Sequence, residues 1–159
     1  MQTAVIESGR NLEPRAVGTT IMTATAIVAV GGIAVSSVSL YEHFATSTTS
    51  FCNFSDTFNC DLVNRSAYST VLGVPVALIG IVGYLLVAAL ATVYRNQAQT
   101  PVLLLIASAG GLGFALYLAY IEKFVLGVWC ILCLTSLALI CIEVMLSTIA
   151  TVRTRQARG

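Results

Sequence analysis

The sequence has little charge. Eight basic and seven acidic residues make up 9% of its 159 residues, against about 25% in a typical soluble domain. So few charged side chains cannot cover the surface of a 16.8 kDa soluble protein. The net charge of +1 also leaves no basic footprint for a phosphate backbone. The composition therefore excludes a soluble enzyme, a disordered chain and a nucleic-acid binder.

Metal-binding and nucleotide-binding patterns are also missing. The chain has one histidine and one tryptophan, with no evident metal or haem ligand set and no nucleotide motif. Hydrophobic residues make up 57% of the chain, and the mean hydropathy is +0.90. These values predict a single membrane domain over residues 1–159, with the lipid bilayer as its solvent.

Four apolar runs are long enough to cross a bilayer, which takes about 20 residues of helix. They cover residues 19–40, 74–94, 102–121 and 124–150, and the only charged residue among them is Glu143. Pro75 and Pro101 stand near the starts of their runs, where proline costs a helix no hydrogen bond. No segments alternate like barrel strands. The predicted fold class is an all-α integral membrane protein, a four-transmembrane-helix bundle.

The basic residues predict the orientation. Arg65 and Lys123 fall on one side of the four runs. The other six basic residues fall on the side of both termini: Arg10, Arg15, Arg95, Arg153, Arg155 and Arg158. The positive-inside rule then places both termini, including a tail over residues 1–18, in the cytoplasm. The loop 42–73 and the turn 122–123 are then predicted to lie on the outer side of the membrane. The predicted location is the inner (cytoplasmic) membrane, as a multi-pass protein. The alternative is that the first run is a signal peptide cleaved near residues 34–37.

Two cysteine pairs fall near the outer face, where an oxidising compartment permits disulfide chemistry. Cys130 and Cys133 form a CxxC motif in the first turns of the fourth predicted helix. Their Cβ atoms would lie about 5–6 Å apart, so a disulfide, at about 3.8 Å, needs a small distortion. A helix N-terminus lowers a thiol pKa, which favours reversible exchange. The alternative is a pair of small buried hydrophobic side chains.

The second pair, Cys52 and Cys60, lies in the outer loop. Taken alone, this pair is explained equally well by a structural disulfide and by a functional one. Together, four cysteines at one membrane face can pass a disulfide by thiol exchange. Cys130 is one turn nearer the outside than Cys133, so Cys130 should meet the loop cysteines. Cys133 should then face a lipid-soluble electron acceptor, for which a quinone is the simplest candidate.

Three further residues are given structural interpretations. Cys141 lies about two turns below Cys133 and is predicted to be a core residue. Glu143 is predicted to snorkel to the cytoplasmic interface, with a proton relay as the alternative. His43 is predicted to be an interface residue at the outer end of the first helix, with proton donation to a quinone as the alternative.

The stretch from Cys60 to Tyr84, CDLVNRSAYSTVLGVPVALIGIVGY, resembles the bacterial vitamin K epoxide reductase homologues. These are four-helix membrane enzymes that make disulfides. The likeness includes the loop cysteines spaced by eight, Ser66 six residues after Cys60, the Gly-Val-Pro opening of the second helix and the CxxC motif. It covers roughly residues 40–145.

The resemblance implies roles for these residues. Cys52 and Cys60 would be the shuttle cysteines, and Cys130 and Cys133 the active-site pair beside the quinone. Ser66 would begin a short helix that caps the bundle on the outer face. Cys52 would exchange with a separate thioredoxin-fold (DsbA-like) protein, and Cys60 would form a transient disulfide with Cys130. The cofactor would be a quinone, menaquinone or ubiquinone.

We therefore predict a quinone-dependent thiol-disulfide oxidoreductase that oxidises its partner and reduces a membrane quinone. Besides Ser66 and Cys133, its expected quinone-lining residues are Leu78, Tyr84 and Phe114. One alternative is reduction of vitamin K epoxide. The asparagine and tyrosine that hold the quinone in animal members align here with Val76 and Leu137, which disfavours it. Thiol-based handling of soft metal ions and an inert membrane scaffold are the remaining alternatives.

Overall fold

Four long helices dominate the structure, a computed structural model that describes residues 2–45, 53–55 and 57–156, with side chains from residue 18 onward except at 53–55. They are α1 (Gln2–Phe44), α3 (Val76–Thr92), α4 (Thr100–Ile121) and α5 (Ile131–Gln156). A five-residue helix, α2 (Cys60–Asn64), and a short 3₁₀ turn (Ala67–Ser69) lie between α1 and α3. A π-helical turn (Glu122–Leu126) continues α4.

The helices have the length and composition of membrane spans. In the part of the chain that the structure describes, three helical segments are long and apolar enough to cross a bilayer: Gly18–Phe44, Thr100–Leu126 and Ile131–Gln156. The apolar helix Val76–Thr92 is shorter. Large apolar side chains such as Ile27, Leu86 and Ile106 point outward, as they do where the solvent is lipid. The chain is a multi-pass membrane protein.

The helices pack in a ring in which α1 contacts α3 and α5, and α4 contacts the same two helices. Small polar side chains lie inside the ring. Ser108 of α4 and Ser147 of α5 are buried and hydrogen-bonded at 2.9 Å. In lipid, apolar burial does not drive helices together, so close packing and interhelical hydrogen bonds hold such bundles.

Two of the predicted helix boundaries change substantially. The backbone of α1 is helical from Gln2, so residues 2–18 of the predicted tail 1–18 belong to the first helix. Hydropathy marks the part of a helix that lies in lipid, whereas helical hydrogen bonding can continue beyond it. Similarly, α5 runs past the predicted end at residue 150 to Gln156, and its last turn contains Arg153 and Arg155.

The start of α5 is the more important correction. The prediction began this helix at residue 124, but it begins at Ile131. Gly127 has a left-handed backbone, with φ of 68°, and ends the π-helical turn. The chain then runs as an extended segment up to Cys130. Cys130 therefore precedes the helix instead of lying in its first turns.

A small hairpin opens α3. Strands β3 (Thr70–Val71) and β4 (Val74–Pro75) pair antiparallel through a two-residue turn of Leu72 and Gly73. Both turn residues have positive φ, 52° and 83°, and such turns match the twist of paired strands. Strands β1 (Asn53–Ser55) and β2 (Phe58–Asn59) form a second antiparallel pair just before α2.

Candidate active site

A short backbone pairing brings the two cysteine regions together. The Trp129 N–H donates to the Thr57 carbonyl at 2.8 Å, and the Asn59 N–H donates to the Trp129 carbonyl at 3.1 Å. Phe58 and Trp129 thus form a parallel bridge. Because the two segments run in the same direction, Cys60, two residues after Phe58, and Cys130, directly after Trp129, are brought into one cluster.

Cys60 and Cys130 are fully buried in one cluster at this end of the bundle. The cluster also contains Val63 and Leu132, and Cys133 packs against it. Cys60 is disulfide-bonded, whereas Cys130 and Cys133 are free thiols. The other shuttle candidate, Cys52, lies outside the described residues. The disulfide-bonded Cys60 and the free thiol of Cys130 therefore lie in the same buried cluster, against which Cys133 packs.

Cys130 occupies the cap position of α5. Its carbonyl accepts the first helical hydrogen bond, from the Leu134 N–H at 3.0 Å. A hydrogen bond from the Cys133 thiol lowers the pKa of the Cys130 thiol, and the backbone N–H groups of Cys133 and Leu132 lower it further. Burial opposes these effects but does not cancel them. Such a thiolate is a good leaving group in disulfide exchange.

A carboxylate that sequence analysis did not single out adjoins the CxxC pair. Glu122, the first residue of the π-helical turn, is 2% exposed. Its Oε2 accepts a hydrogen bond from the Cys130 backbone N–H at 3.0 Å. In the sequence, Glu122 is an acidic residue between two apolar runs. A place in the predicted turn 122–123 explained this residue as well as a role in the site would have.

A cavity of about 380 Å³ opens beside the cysteines, between the helices. Four of the predicted quinone-lining residues border it: Ser66, Tyr84, Phe114 and Cys133. The Tyr84 hydroxyl donates to the Ser136 carbonyl at 2.9 Å. The volume falls within the roughly 300–1,000 Å³ of small-molecule sites. Cys133 borders this cavity and Cys130 does not, so the two thiols face different surroundings.

Three sequence predictions need correction at this point. Leu78 does not border the cavity; it is 40% exposed on the outside of α3, while its neighbours Ala77 and Ile79 line the space. Cys141 is exposed and is not a core residue. Glu143 does not snorkel, because it is 1% exposed. On α5 the inward face passes through Ile140, Glu143 and Ser147, and hydropathy alone does not assign that face.

A family model decides where this chain belongs. The model of the vitamin K epoxide reductase family matches residues 23–148, which is most of the chain. The chain belongs to the vitamin K epoxide reductase family. No curated protein matches it. Members of this family are membrane oxidoreductases that couple thiol chemistry to quinones, so the chain is a quinone-linked thiol oxidoreductase in this broad sense.

The two positions where the chain departs from animal members of the family are now placed. Val76 lines the cavity, and its side chain offers no hydrogen bond. Leu137 packs against the apolar core of the bundle and does not border the cavity. Neither residue therefore offers the cavity a polar side-chain group.

Asn64, at the end of α2, provides such a polar group. It is 7% exposed and borders the cavity. Its Oδ1 accepts a hydrogen bond from Ser39 at 2.8 Å, which fixes the amide. Its Nδ2 has no partner among the described residues, so it is a free donor. His43, predicted as an interface residue, also borders the cavity, and its Nδ1 hydrogen-bonds to the Asn64 carbonyl.

Among the described residues, no group of three or more His, Cys, Asp or Glu side chains could hold a metal ion.

Sequence reasoning missed Asn64 because an asparagine in a polar loop has many ordinary explanations. Its side chain acquires significance only when α2 packs on the end of α1, which brings Ser39 and His43 against it.

Proposed function

We propose that this member of the family is a thiol oxidase that generates disulfides in a separate thioredoxin-fold protein and passes the electrons to a membrane quinone. One observation supports this most directly. Cys60 and Cys130 share a buried cluster, while Cys133, one turn further along, borders the cavity. Two adjacent cysteines that face two different surroundings suit a relay between a protein disulfide and a small lipid-soluble acceptor.

The thiol steps follow from this arrangement. A reduced partner dithiol attacks the Cys52–Cys60 disulfide, which leaves the partner oxidised and both loop cysteines as thiols. The Cys60 thiolate then attacks Cys130 of an oxidised Cys130–Cys133 pair and releases the Cys133 thiolate. Cys52 next attacks Cys60, which restores the loop disulfide and releases Cys130. The lowered pKa of Cys130 favours this release. The product has Cys60 in a disulfide and free thiols at Cys130 and Cys133, the state of the described cysteines.

The cavity residues fit a quinone head group. Apolar side chains such as Val76 and Phe114 would enclose the ring, and the free Asn64 Nδ2 would donate to one of its oxygens. A bound quinone supplies the oxidising capacity, taking up two electrons and two protons. The chain's own residues exclude water and hold the Cys133 thiol at the cavity wall. We propose Ser66, Tyr84 and Phe114 as further lining residues.

We also propose that all four long helices cross the inner membrane, with both termini in the cytoplasm. At 1.5 Å per residue, the 17 residues of α3 span about 25 Å, slightly less than the hydrocarbon core. The hairpin before α3 and the turn after it would then lie in the interface. The cysteine end of the bundle faces outward, where the thioredoxin-fold partner meets the loop.

The deciding experiment follows quinone absorbance with purified protein in detergent and a reduced thioredoxin-fold protein as the donor. We expect quinone loss that needs both the donor and Cys133. The Cys133→Ser variant should lose it, and Cys141→Ser is the matched control because Cys141 is a free, exposed thiol away from the site. Quinone loss that persists in Cys133→Ser would overturn the proposed relay. No loss with several quinones and donors would overturn the oxidase function itself.

A further inference from the structure

The dithiol cannot reduce a quinone without moving protons, and the buried Glu122 borders the cavity beside the CxxC pair. We propose that the Glu122 carboxylate is the proton carrier between the Cys133 thiol and the cavity. The inference rests on the proposed function and adds a catalytic residue to it.

Contacts on both sides of Glu122 support this role. The residue borders the cavity, as Cys133 does, and its carboxylate is tied to the backbone of the CxxC pair. Among the described residues, Oε1 has no hydrogen-bond partner, so it is the carboxylate oxygen that can take up a proton. The neighbouring Oε2 is held by the Cys130 N–H at 3.0 Å, which fixes the carboxylate beside the CxxC pair.

The overall step balances with this assignment. The step is written from the Cys130 thiolate, the form that the lowered pKa of Cys130 favours, and from the Cys133 thiol. The S–S bond forms between the two sulfurs, and two electrons pass to the quinone. Cys133 gives its proton to Glu122, which delivers it to a quinone oxygen. The second quinone oxygen takes its proton from the surrounding medium, so one thiolate, one thiol, one proton and one quinone give a disulfide and a quinol.

The competing explanation is that Glu122 only supports the structure. The variant Glu122→Gln, which replaces the carboxylate by an amide of the same shape, distinguishes this structural role from proton transfer. Glu122→Gln retains an oxygen that can accept the Cys130 N–H, so it preserves the tether at the start of α5. It cannot take a proton from Cys133. Glu122→Asp keeps a carboxylate on a shorter side chain and serves as the second variant if the amide destabilises the fold. Glu143→Gln is the matched control, because Glu143 is an equally buried glutamate outside the cavity.

The first readout needs no quinone. The variants are placed in a background with Cys52, Cys60 and Cys141 replaced by serine, which leaves only the CxxC thiols. The reduced protein is mixed with a small apolar aromatic disulfide, and closure of the Cys130–Cys133 disulfide is followed over a range of pH. With Glu122 as the base, the rate should be nearly flat over the pH range in which Cys130 and Glu122 are ionised and Cys133 is protonated.

We expect the rate for Glu122→Gln to rise roughly tenfold per pH unit, because hydroxide must then remove the proton. Glu122→Asp and Glu143→Gln should keep the flat profile. Other titratable groups at this end of the bundle are His43, Glu42, Asp61 and Lys123. They are present in all the variants, so their titration cannot produce the difference. Glu42 and Asp61 have interactions of their own, and Lys123 lies over the Phe124 ring at 5.3 Å.

The second readout is quinone reduction in the protein with all five cysteines, where losing a general base should cost about a hundredfold or more. A profile for Glu122→Gln parallel to that of its parent, merely lower at every pH, would assign Glu122 a structural role and overturn the proposal. If wild-type protein fails to reduce any quinone, the proposed function fails. The quinone-free pH profile still decides whether Glu122 accepts the Cys133 proton.

Discussion

Close contact between α1 and α3 depends on Gly32, and this contact supports a wall of the cavity. A Cβ atom at position 32 would lie 2.3 Å from Tyr84 Cε1 and 2.4 Å from its Cδ1. Ordinary carbon contacts are about 3.5–4.0 Å, so Gly32→Ala requires the Tyr84 ring to retreat by more than about 1 Å. The ring is buried and its hydroxyl is tied to the Ser136 carbonyl at 2.9 Å, so it has little freedom to move.

The expected cost has two parts. Overpacking a well-packed interior costs about 1–3 kcal/mol, and losing an interhelical hydrogen bond in a membrane costs about 0.6 kcal/mol. Gly31 offers a matched control, because its added Cβ would meet only Leu139, at 3.9 Å. Both substitutions gain the same helix propensity, about 1 kcal/mol. The difference between Gly32→Ala and Gly31→Ala should therefore be about 1.5–3.5 kcal/mol in the free energy of unfolding.

The assay is unfolding of the purified protein in mixed micelles, with helicity as the signal. A double-mutant cycle with Tyr84→Ala tests the cause, since the cost of Gly32→Ala should largely vanish once the ring is gone. We also expect Gly32→Ala to raise the KM for the quinone, because Tyr84 borders the cavity. If the two alanine variants are equally stable, or if the cost persists without the ring, the packing argument is wrong.

Three further predictions concern buried polar groups. Asn64→Leu should raise the KM for the quinone about threefold to tenfold, because it removes one hydrogen bond of about 0.5–1.5 kcal/mol. Ser39→Ala removes only the hydrogen bond that holds the Asn64 Oδ1, so it should raise the KM less. Glu143→Leu should raise the free energy of unfolding in detergent by about 1–3 kcal/mol. The reason is that neither carboxylate oxygen of Glu143 has a hydrogen-bond partner among the described residues. A loss of stability would contradict this prediction. Cys133→Ala should raise the pKa of Cys130 by removing the hydrogen bond that lowers it most. In reduced protein, ultraviolet thiolate absorbance from Cys130 should therefore appear at higher pH, and an unchanged titration would contradict this.

The sequence carried most of the information on class and chemistry. Charge content and run length follow directly from composition, and they predicted a helical membrane protein. The cysteine spacing, together with Ser66 and the Gly-Val-Pro opening, was specific enough to identify the family before any fold was known. The family match over residues 23–148 confirms that identification. These features are local in sequence, so no tertiary contact is needed to recognise them.

The tertiary structure decided which groups meet. Apolar runs do not reveal which side of a helix faces its neighbours, because lipid and protein interior are similarly apolar. Glu143, Cys141 and Leu78 were misassigned for that reason. The start of α5 was also misplaced, since Gly127 and the extended segment after it are apolar like the helix.

The active site itself depends on contacts between distant segments. Two backbone hydrogen bonds between residues 57–59 and Trp129 bring Cys60 beside Cys130, and backbone pairing of this kind carries no side-chain signature. The same fold sets Glu122 against the Cys130 N–H and fixes Asn64 at the cavity through Ser39. The sequence thus determined the chemistry available to this protein, and only the packing of helix ends decided which carboxylate, amide and thiols lie together.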